Sequence, residues 1–407
     1  MSDSVEVLEV PFHRPSIGRE EIEEVVRTLE SGWLTTGRRT AEFEKRFSEY
    51  VQAPYCQAVS SCTAGLHLAL TALQIGPGAE VITTPLTFCA TVNTILHVGA
   101  TPVLADIRED GNIDPASIEA RITHKTRAIV PVHLSGLPCD MEAIWKIARQ
   151  HGLFVIEDSA HAAGSFYRGL PIGAGHPDLG CSDAAVFSFY ATKNLTTGEG
   201  GMVTTHNPEL AEAVRILCLH GISKSAWNRY ADRGQWYYEV LRPGFKYNLT
   251  DLQSAIGLHQ LAKLNSFVLQ RARYAAIYNQ RFADSRFFEL PPDRSDSIHS
   301  WHLYILRLNL SELEINRNQF IQSLQERGIG VSVHFIPIPL HPFFQPFASL
   351  PQNQCSKCLE LYPRLISLPL YPAMTEAQVE YVAACVKETA RAFRRKKLVM
   401  FAARQTN

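Results

Sequence analysis

Short apolar runs rich in valine and isoleucine alternate with helical patterns over most of the chain, and this alternation constrains the fold more than any other feature. The stretch "AEVITTPLTFCATVNTILHVGATPVLADI" predicts a strand, a helix and a strand, and further strands follow at "TRAIVPVHLSG" and "GLFVIEDSAH". Parallel strands need long crossover connections, which helices supply. The sequence therefore predicts an α/β fold with a mostly parallel central sheet that helices cover on both faces.

The pattern of the chain changes near residue 250. Residues 251–282 form one long helical stretch, which we expect to be broken or bent, and a strand, a helix and a strand follow it. A chain of 407 residues exceeds the usual size of a single core. We therefore predict a large cofactor-binding domain at 16–265, a smaller C-terminal α+β domain at 266–395 and a frayed tail at 396–407.

An amphipathic helix is predicted near the N-terminus. Within residues 16–30, Ile22, Val25, Val26 and Leu29 recur at helical spacing, and acidic residues occupy the first turn. Both features are typical of a surface helix with one apolar stripe.

Charge and composition exclude several classes of protein. The formal net charge is −1, which gives no electrostatic reason to expect nucleic acid or an anionic membrane as a partner. No uninterrupted apolar run approaches the length that spans a bilayer, and the N-terminus lacks a signal-peptide core. Nine scattered cysteines predict free thiols in a reducing cytoplasm. Cys355 and Cys358 lack a second pair or a nearby histidine, so we predict no metal site.

Ligands of open α/β sheets bind beyond the carboxyl ends of the strands, so the residues at those ends carry the functional prediction. In "SSCTAGLH" a short strand turns directly into a helix. The backbone amides of Thr63, Ala64 and Gly65 are predicted to cradle a phosphate group at the positive end of the helix dipole. The alternative is an ordinary N-cap threonine.

Two further strand ends suggest contacts to a flat heteroaromatic ring. Phe88 follows a strand end and a proline turn, where it could stack on such a ring, although core packing explains a lone phenylalanine equally well. Asp158 ends an apolar strand, where a buried carboxylate needs a partner such as a protonated pyridine nitrogen. The alternative for Asp158 is a helix N-cap. His161 lies three residues later and could contact the same ring or its phenolic oxygen.

The fourth strand end is the stretch "VFSFYATKNLTTGEGG" at 186–201. Ser188 could bond a phosphate oxygen, and Lys193 could form a Schiff base with an aldehyde, since a partly desolvated amine is nucleophilic. The alternative is a solvated loop lysine. Together the four strand ends supply the parts that pyridoxal 5′-phosphate requires. We therefore predict this cofactor, with Lys193 as its covalent anchor and with Lys193 and Asp158 as catalytic residues.

Several ordered motifs together resemble the DegT-type nucleotide-sugar aminotransferases, which are pyridoxal-phosphate enzymes of fold type I. The motifs run from "SGWLTTG" at 31–37 through "VIEDSAHAAGS" and "FSFYATKNLTTGEGG" to "SLPLYP" at 367–372. Two of them, "GFKYNLTD" and "WHLY", are most similar to the branch that includes the aminotransferase making UDP-4-amino-4-deoxy-L-arabinose.

The resemblance implies roles for individual residues. The positions that match the family's covalent lysine, ring contacts and phosphate contacts are Lys193, Asp158, His161, Thr63, Ala64 and Ser188. Asn248 matches an asparagine that reaches the cofactor phosphate of the neighbouring subunit. Some relatives read "NYR" where this chain has "KYN", so Lys246 is the alternative for that contact. Trp33, in "SGWLTTG", and His334 match regions that line the sugar site.

The resemblance further implies transfer of an amino group from glutamate to a keto group of a nucleotide-linked sugar, with a 4-keto sugar preferred. It also implies a homodimer with shared active sites. Three alternatives stay open. A sugar dehydratase of the same family would carry histidine in place of Lys193. An amino-acid aminotransferase would need an arginine for the substrate carboxylate, for which Arg168 and Arg229 are candidates. A catalytically idle regulator would bind the cofactor or a sugar nucleotide without reaction.

Overall fold

The computed structural model describes residues 8–223, 237–347 and 352–396. Arg229 and all of the predicted tail except Lys396 lie outside the described residues. The helices are α1 (Arg19–Glu30), α2 (Arg38–Val51), α3 (Cys62–Ala72), α4 (Cys89–His97), α5 (Pro115–Glu119), α6 (Met141–His151), α7 (Pro208–Cys218), α8 (Asp251–Phe282), α9 (Arg317–Gln325), α10 (Ser356–Leu361) and α11 (Glu376–Ala392). The strands are β1 (Tyr55–Val59), β2 (Glu80–Thr83), β3 (Thr101–Leu104), β4 (Thr126–Val130), β5 (Phe154–Asp158), β6 (Phe166–Tyr167), β7 (Leu170–Pro171), β8 (Ala184–Ser188), β9 (Gly201–Thr205), β10 (Phe288–Glu289), β11 (Ser297–Ile298), β12 (Tyr304–Leu308) and β13 (Leu365–Leu368).

A seven-stranded sheet in the order β1-β9-β8-β5-β4-β2-β3 forms the centre of the molecule. Strands β8, β5, β4, β2 and β3 pair in parallel, whereas β9 pairs antiparallel with both β1 and β8. The prediction of an α/β fold with a mostly parallel sheet is therefore confirmed. The carboxyl ends of β1, β5 and β8 lie at one edge of this sheet.

Helices cover both faces of the sheet, as predicted. Successive strand residues point to opposite faces, so Val155 of β5 packs in the core beneath α2, α6 and α8, and the next residue, Ile156, packs in the core beneath α3 and α7. Phe43 and Ile144 contribute to the first core, and Leu66 contributes to the second. The near-continuous apolar character of these strands follows from burial on both sides.

Helix α8 is continuous over its 32 residues, so the stretch is not broken, and the alternative of a bent helix stays a prediction. Thr250 and Gln253 form a capping box that starts the helix. The stretch contains no proline, and its glycine, Gly257, serves close packing, since a Cβ atom there would lie 2.7 Å from the ring of Phe43. The helix also crosses the predicted domain boundary at 265–266, and that boundary stays a prediction.

A second core lies around the three-stranded antiparallel sheet β10-β12-β13. Tyr278 from the second half of α8, Phe320 of α9 and Val382 of α11 are buried in it. Val10, near the start of the described chain, joins the same core and pairs with Ile329. This pairing directs the residues that follow Val10 towards the carboxyl edge of the central sheet.

The small sheet β11-β6-β7 brings the loop at 299–302 against the central domain. The backbone amide of Ser300 donates to the carbonyl of Gly136 at 3.2 Å. Gly136 has φ +98°, and a Cβ atom there would lie 2.9 Å from the carbonyl oxygen of His161. A glycine is therefore required where these three segments meet.

Helix α1 exposes its apolar stripe and buries two of its polar residues. Ile22, Val26 and Leu29 are 58%, 45% and 53% exposed, whereas Glu21 and Thr28 are buried against α8. Glu21 accepts hydrogen bonds from Lys263 and Gln260 of α8, which explains how a carboxylate can be buried there. The chain thus uses a polar contact to hold α1, and leaves the stripe facing outwards.

None of the helices in the described ranges has both the length and the apolar character that crossing a bilayer requires.

Candidate active site

A cavity of about 340 Å³ lies beyond the carboxyl ends of β1, β5 and β8. Side chains from the N-terminal segment and from the C-terminal core close it on the other side. The predicted site residues that line this cavity are Thr63, Phe88, Asp158, His161, Ser188, Lys193 and His334. Three further predicted residues, Ala64, Trp33 and Asn248, do not line it. Lys193 and Asp158 therefore share one cavity on one side of the sheet.

Asp158 is the last residue of β5 and is buried at the floor of the cavity. Its Oδ2 atom accepts a hydrogen bond of 2.8 Å from Thr91 Oγ1, and its Oδ1 atom accepts one of 3.2 Å from the backbone amide of Ala160. Burial raises the pKa of Asp158, and these two hydrogen bonds oppose that rise. No helix begins at Asp158, so the N-cap alternative does not apply. The carboxylate is placed to meet a cation within the cavity.

Lys193 follows β8 and is half-buried in the cavity wall, which rules out the solvated loop lysine. Burial lowers the pKa of its amine to about 8, although the charge of Asp158 and the thiol of Cys62 act in the opposite direction. The next residue, Asn194, anchors the loop, because its Nδ2 atom donates to the carbonyls of Ala163 and Ser300 at 3.3 and 3.0 Å. The neutral, nucleophilic form of this amine is therefore far more populated near neutral pH than it is in an ordinary lysine.

The N-terminus of α3 forms the end of the cavity predicted to hold a phosphate group. Ser61 is the N-cap, and its Oγ atom accepts from the amide of Ala64 at 3.0 Å, while its carbonyl accepts from the amide of Gly65 at 3.0 Å. Of the three amides predicted to cradle a phosphate group, those of Ala64 and Gly65 are thus already bonded to Ser61, contrary to the prediction. Ser61, Thr63 and Ser188 line the cavity here. Gly201 lets β9 approach closely, since a Cβ atom there would lie 2.7 Å from the Cys62 nitrogen.

Aromatic side chains flank the space between Asp158 and Lys193. Phe88 is the N-cap residue of α4 and is 59% exposed, so core packing does not explain it. His161 stacks on Phe335 with ring centroids 5.7 Å apart and an interplanar angle of 20°. The Nδ1 atom of His161 accepts the backbone N–H of Ser135 at 3.2 Å, which leaves the proton on Nε2.

His334 lines the opposite wall of the cavity. Its Nδ1 atom lies 2.8 Å from Ser367 Oγ, and its ring stacks on Phe12 at 5.6 Å. Burial lowers the pKa of His334 to about 4, so its ring is neutral at physiological pH. Phe12 comes from the N-terminal segment that Val10 directs towards this edge of the sheet.

Trp33 and Asn248 lie together on the surface beside the cavity rather than in it. Trp33 Nε1 donates to the carbonyl of Thr36 at 3.1 Å, and Asn248 Nδ2 donates to Thr36 Oγ1 at 2.7 Å. Lys246, the alternative to Asn248, donates from Nζ to Asn248 Oδ1 at 2.5 Å. The two candidates for the cross-subunit contact are therefore bonded to each other, and both roles stay predictions.

Sequence reasoning missed several residues of the site, among them Ser61, which is the N-cap of α3 and lines the cavity. Thr91 holds Asp158 from the first turn of α4, one helical turn after Phe88, and helical spacing from Phe88 could have identified it. His302 lies in the "WHLY" motif, which served only as a mark of resemblance. His13 reaches the cavity through a contact of its Nε2 atom with the carbonyl of Ala191 at 3.0 Å, and nothing local in the sequence indicates this.

The positions of the charged side chains and of the cysteines bear on the predicted carboxylate-binding arginine and on the predicted absence of a metal site. Arg168 lies outside the cavity and pairs with Glu142. Within the described ranges Lys193 is the one lysine or arginine among the residues lining the cavity. Cys355 and Cys358 are buried in the core, and the described residues contain no cluster able to hold a metal ion.

The residues present fit pyridoxal phosphate. A buried carboxylate without an ion-paired cation among the described residues matches a protonated ring nitrogen, and a desolvated amine in the same cavity matches an aldehyde. Ser61 and Thr63 at a helix N-terminus match a phosphate group.

Comparisons with known proteins identify relatives along almost the whole chain. The profile of the DegT/DnrJ/EryC1/StrS aminotransferase family matches residues 15–387. The spore coat polysaccharide biosynthesis protein SpsC of Bacillus subtilis is 49% identical over 381 residues, which cover 93% of this chain and 96% of SpsC. The PLP form of the putative sugar aminotransferase Spr1654 of Streptococcus pneumoniae superimposes with a TM-score of 0.87 at 35% identity, covering 95% of this chain and 99% of Spr1654. PseC of Helicobacter pylori, an aminotransferase involved in pseudoaminic acid biosynthesis, superimposes with a TM-score of 0.86 at 32% identity, covering 95% of this chain and 100% of PseC.

Proposed function

The chain belongs to the DegT/DnrJ/EryC1/StrS aminotransferase family of pyridoxal-phosphate-dependent sugar aminotransferases, and we propose that it moves an amino group from glutamate to the keto group of a nucleotide-linked sugar. A 4-keto sugar is the preferred acceptor in this proposal. The observation that carries it is the shared cavity of Asp158 and Lys193, in which a buried carboxylate and a desolvated amine face one space.

Pyridoxal phosphate, when bound, supplies an electrophilic aldehyde carbon and a ring that withdraws electrons from the transferred amino group. Asp158 would hold the ring nitrogen protonated, because an adjacent anion favours the cationic form. Ser61, Thr63 and Ser188 would hold the phosphate group. Phe88 and His161 would hold the ring between them.

Lys193 would have two tasks in this site. Its neutral Nζ atom would hold the cofactor covalently until an amino donor arrives. Once released, the same atom would accept the proton that leaves the donor's α-carbon, acting as a general base whose pKa of about 8 lies near the working pH. The Asn194 anchor would keep the amine within the cavity through both tasks.

The walls of the cavity favour a sugar acceptor over an amino-acid acceptor. Recognition of a substrate carboxylate typically uses a guanidinium group in a bidentate pair. The cavity walls present histidines that burial keeps neutral, among them His334, and no arginine within the described part of the chain. Hydroxyl groups suit neutral donors and acceptors of this kind. Glutamate, the donor in both candidate reactions, also carries carboxylates, so the preference for a sugar acceptor rests on the neutral histidines and not on the absence of an arginine.

A homodimer with shared active sites is part of the proposal. Trp33 and Asn248 lie outside the cavity of their own chain, on the surface next to it. The apolar stripe of α1, formed by Ile22, Val26 and Leu29, is exposed and leads along the chain towards Trp33. Contiguous exposed apolar residues mark interaction surfaces. A second copy that covers this stripe would place its cavity next to Trp33 and Asn248 of the first copy.

The experiment is a panel of keto-sugar nucleotides, each supplied with glutamate and scored for amine formation by mass spectrometry. The UDP-linked 4-keto pentose of the arabinose branch belongs in this panel, as do the acceptors of polysaccharide-forming relatives such as SpsC. We expect at least one acceptor to be aminated in a glutamate-dependent reaction, and the Lys193→Ala variant to be inactive. Bleaching of the bound cofactor by glutamate without amination of any sugar would refute the acceptor class, and a cofactor that no amino donor bleaches would favour the idle regulator.

A further inference from the structure

Among the described residues four histidines line the cavity, and the proposed function uses only two of them. His161 is assigned to the cofactor ring, and His334 to the sugar site. His13 contacts the carbonyl of Ala191. His302 lines the cavity with no role assigned to it.

The ring of His302 lies in the cavity wall, tilted against that of His161 with centroids 4.4 Å apart. The residue is 5% exposed. Its Nδ1 atom is buried and has no hydrogen-bond partner among the described residues. Nε2 is not among the buried unpartnered atoms and has no partner in the described part of the chain, so we infer that Nε2 is the atom that His302 presents to a ligand.

A buried cation holds the backbone of His302. The guanidinium of Arg271 is buried, and its Nη1 atom donates to the carbonyls of Trp301 and His302 at 3.3 and 3.1 Å. No carboxylate pairs with Arg271 within the described ranges, and burial lowers its pKa to about 9. Nη1 also donates to the carbonyl of Leu370 at 2.6 Å, so three carbonyl groups partly offset the cost of burying this cation. The guanidinium therefore ties the loop that carries His302 to the C-terminal core.

The same loop is tied to the residue next to Lys193. Asn194 Nδ2 donates to the carbonyl of Ser300 at 3.0 Å. Ser300 Oγ in turn donates to the carbonyl of His161 at 3.0 Å. His302 is thus fixed relative to both Lys193 and His161 by contacts of known length, rather than through a flexible loop.

The chemistry of a neutral imidazole limits what His302 can recognise. Burial and the nearby positive charges lower the pKa of His302 well below its usual value. A neutral imidazole nitrogen is either a donor or an acceptor, and a hydroxyl group satisfies both, because it donates and accepts. A carboxylate or phosphate group would be satisfied by only one tautomer and is better matched by arginine. A hydroxyl group is therefore the ligand that suits His302 in either state.

We propose that His302 binds a hydroxyl group of the acceptor sugar through its Nε2 atom. This inference rests on the proposed function, and it adds a residue that distinguishes the polyhydroxylated acceptor from the amino donor. His302 therefore acts in the acceptor half of the reaction and not in the donor half.

The test separates the two half-reactions of the loaded enzyme. The donor half-reaction is followed with glutamate alone, from the absorbance change as the bound cofactor is converted from its pyridoxal to its pyridoxamine form. The acceptor half-reaction is followed by adding a keto-sugar nucleotide, identified with the panel above, to the pyridoxamine form. We compare His302→Gln, whose amide lies near the Nε2 position, with His302→Asn, whose amide lies near the Nδ1 position. The matched control is His299→Gln, on the same loop, buried, stacked on Trp301 and outside the cavity lining.

We expect His302→Asn to raise the acceptor concentration needed for half-maximal rate roughly 10- to 100-fold, the loss that an unpaired substrate hydroxyl causes. His302→Gln should recover much of that loss, and the donor half-reaction should match that of the unmodified protein in both variants. Equal losses in both half-reactions, or equal behaviour of the Asn and Gln variants, would overturn the role of His302. If the unmodified protein converts glutamate but aminates no sugar, the proposed function is wrong and this inference fails with it. If the unmodified protein aminates a sugar and the His302 variants do so equally well, only this inference is wrong.

Discussion

Replacing Thr91 by valine tests how the site controls the charge of Asp158. The Thr91 hydroxyl donates a 2.8 Å hydrogen bond to Asp158 Oδ2, and both residues are buried. Valine has nearly the same shape and cannot donate. Thr87 Oγ1 lies 2.8 Å from Thr91 Oγ1, so the substitution also removes the partner of a second buried hydroxyl.

The size of the effect follows from the charge of the acceptor. A hydrogen bond to a charged group contributes about 1.5–3 kcal/mol, and the loss of the bond from Thr91 raises the pKa of Asp158 further. The sign is a rise because the lost donor favours the carboxylate over the carboxylic acid. If Asp158 is ionised less often, it holds the ring nitrogen protonated less well, and turnover falls. A loss of about 1.4 kcal/mol of transition-state stabilisation lowers the rate roughly tenfold.

The assay is the pH profile of the glutamate half-reaction in Thr91→Val and in the unmodified protein. We expect the acid limb of the profile to move to higher pH, in step with the pKa of Asp158. The matched control is Thr94→Val on the same helix, because the Thr94 hydroxyl donates to the Thr91 carbonyl and does not touch Asp158. An unchanged acid limb with normal turnover in Thr91→Val would show that this hydrogen bond does not set the charge of Asp158.

Three further predictions concern the anion, the amine and the exposed helix. Asp158→Asn should leave the melting temperature of the cofactor-free protein unchanged or higher at neutral pH. Burial raises the pKa of this carboxyl group, so its ionised form destabilises the folded protein, and asparagine removes that cost. The same variant should lower turnover by at least roughly 100-fold, and near-normal turnover would remove Asp158 from the mechanism. Capture of added pyridoxal phosphate by Lys193 should accelerate with pH, reach half of its maximal rate near pH 8 and level off above that pH, since only the neutral amine reacts. Stopped-flow absorbance measures this rate, and a rate that keeps rising to pH 10 would contradict the lowered pKa. The double variant Val26→Asp and Leu29→Asp in α1 should be monomeric in light scattering and less active. The control Phe154→Asp, at the amino end of β5, should change neither property. Dimers that persist in the α1 variant would show that another surface joins the subunits.

The principal chemistry of the site could be predicted from the sequence. Asp158, Ser188 and Lys193 are local features of the chain, each placed at or just after the end of a strand-like run. In a parallel sheet the carboxyl ends of the strands meet at one edge, so predicting the sheet also brings these residues together. Alternatives that depend on burial, such as a solvated Lys193 or a core Phe88, could be decided only with the exposure of each side chain known.

Other parts of the site depend on contacts between distant segments. His13 and Phe12 reach the cavity because Val10 pairs with Ile329, more than 300 residues away along the chain. His302 faces the cavity because the loop at 299–302 is bonded to Gly136 and to Asn194. No local periodicity or turn signal encodes such pairings, because they form only when separate cores pack against each other.

Helix α1 shows most clearly what each level of information determines. The sequence by itself determined that residues 16–30 form a helix with an apolar stripe, because spacing at helical period fixes which side chains share a face. It also determined the α/β sheet and the identities of the anion and the amine. Only the tertiary structure decided that the stripe faces outwards, because α8 offers Lys263 and Gln260 to Glu21, and burying that paired carboxylate turns the apolar face away from the core.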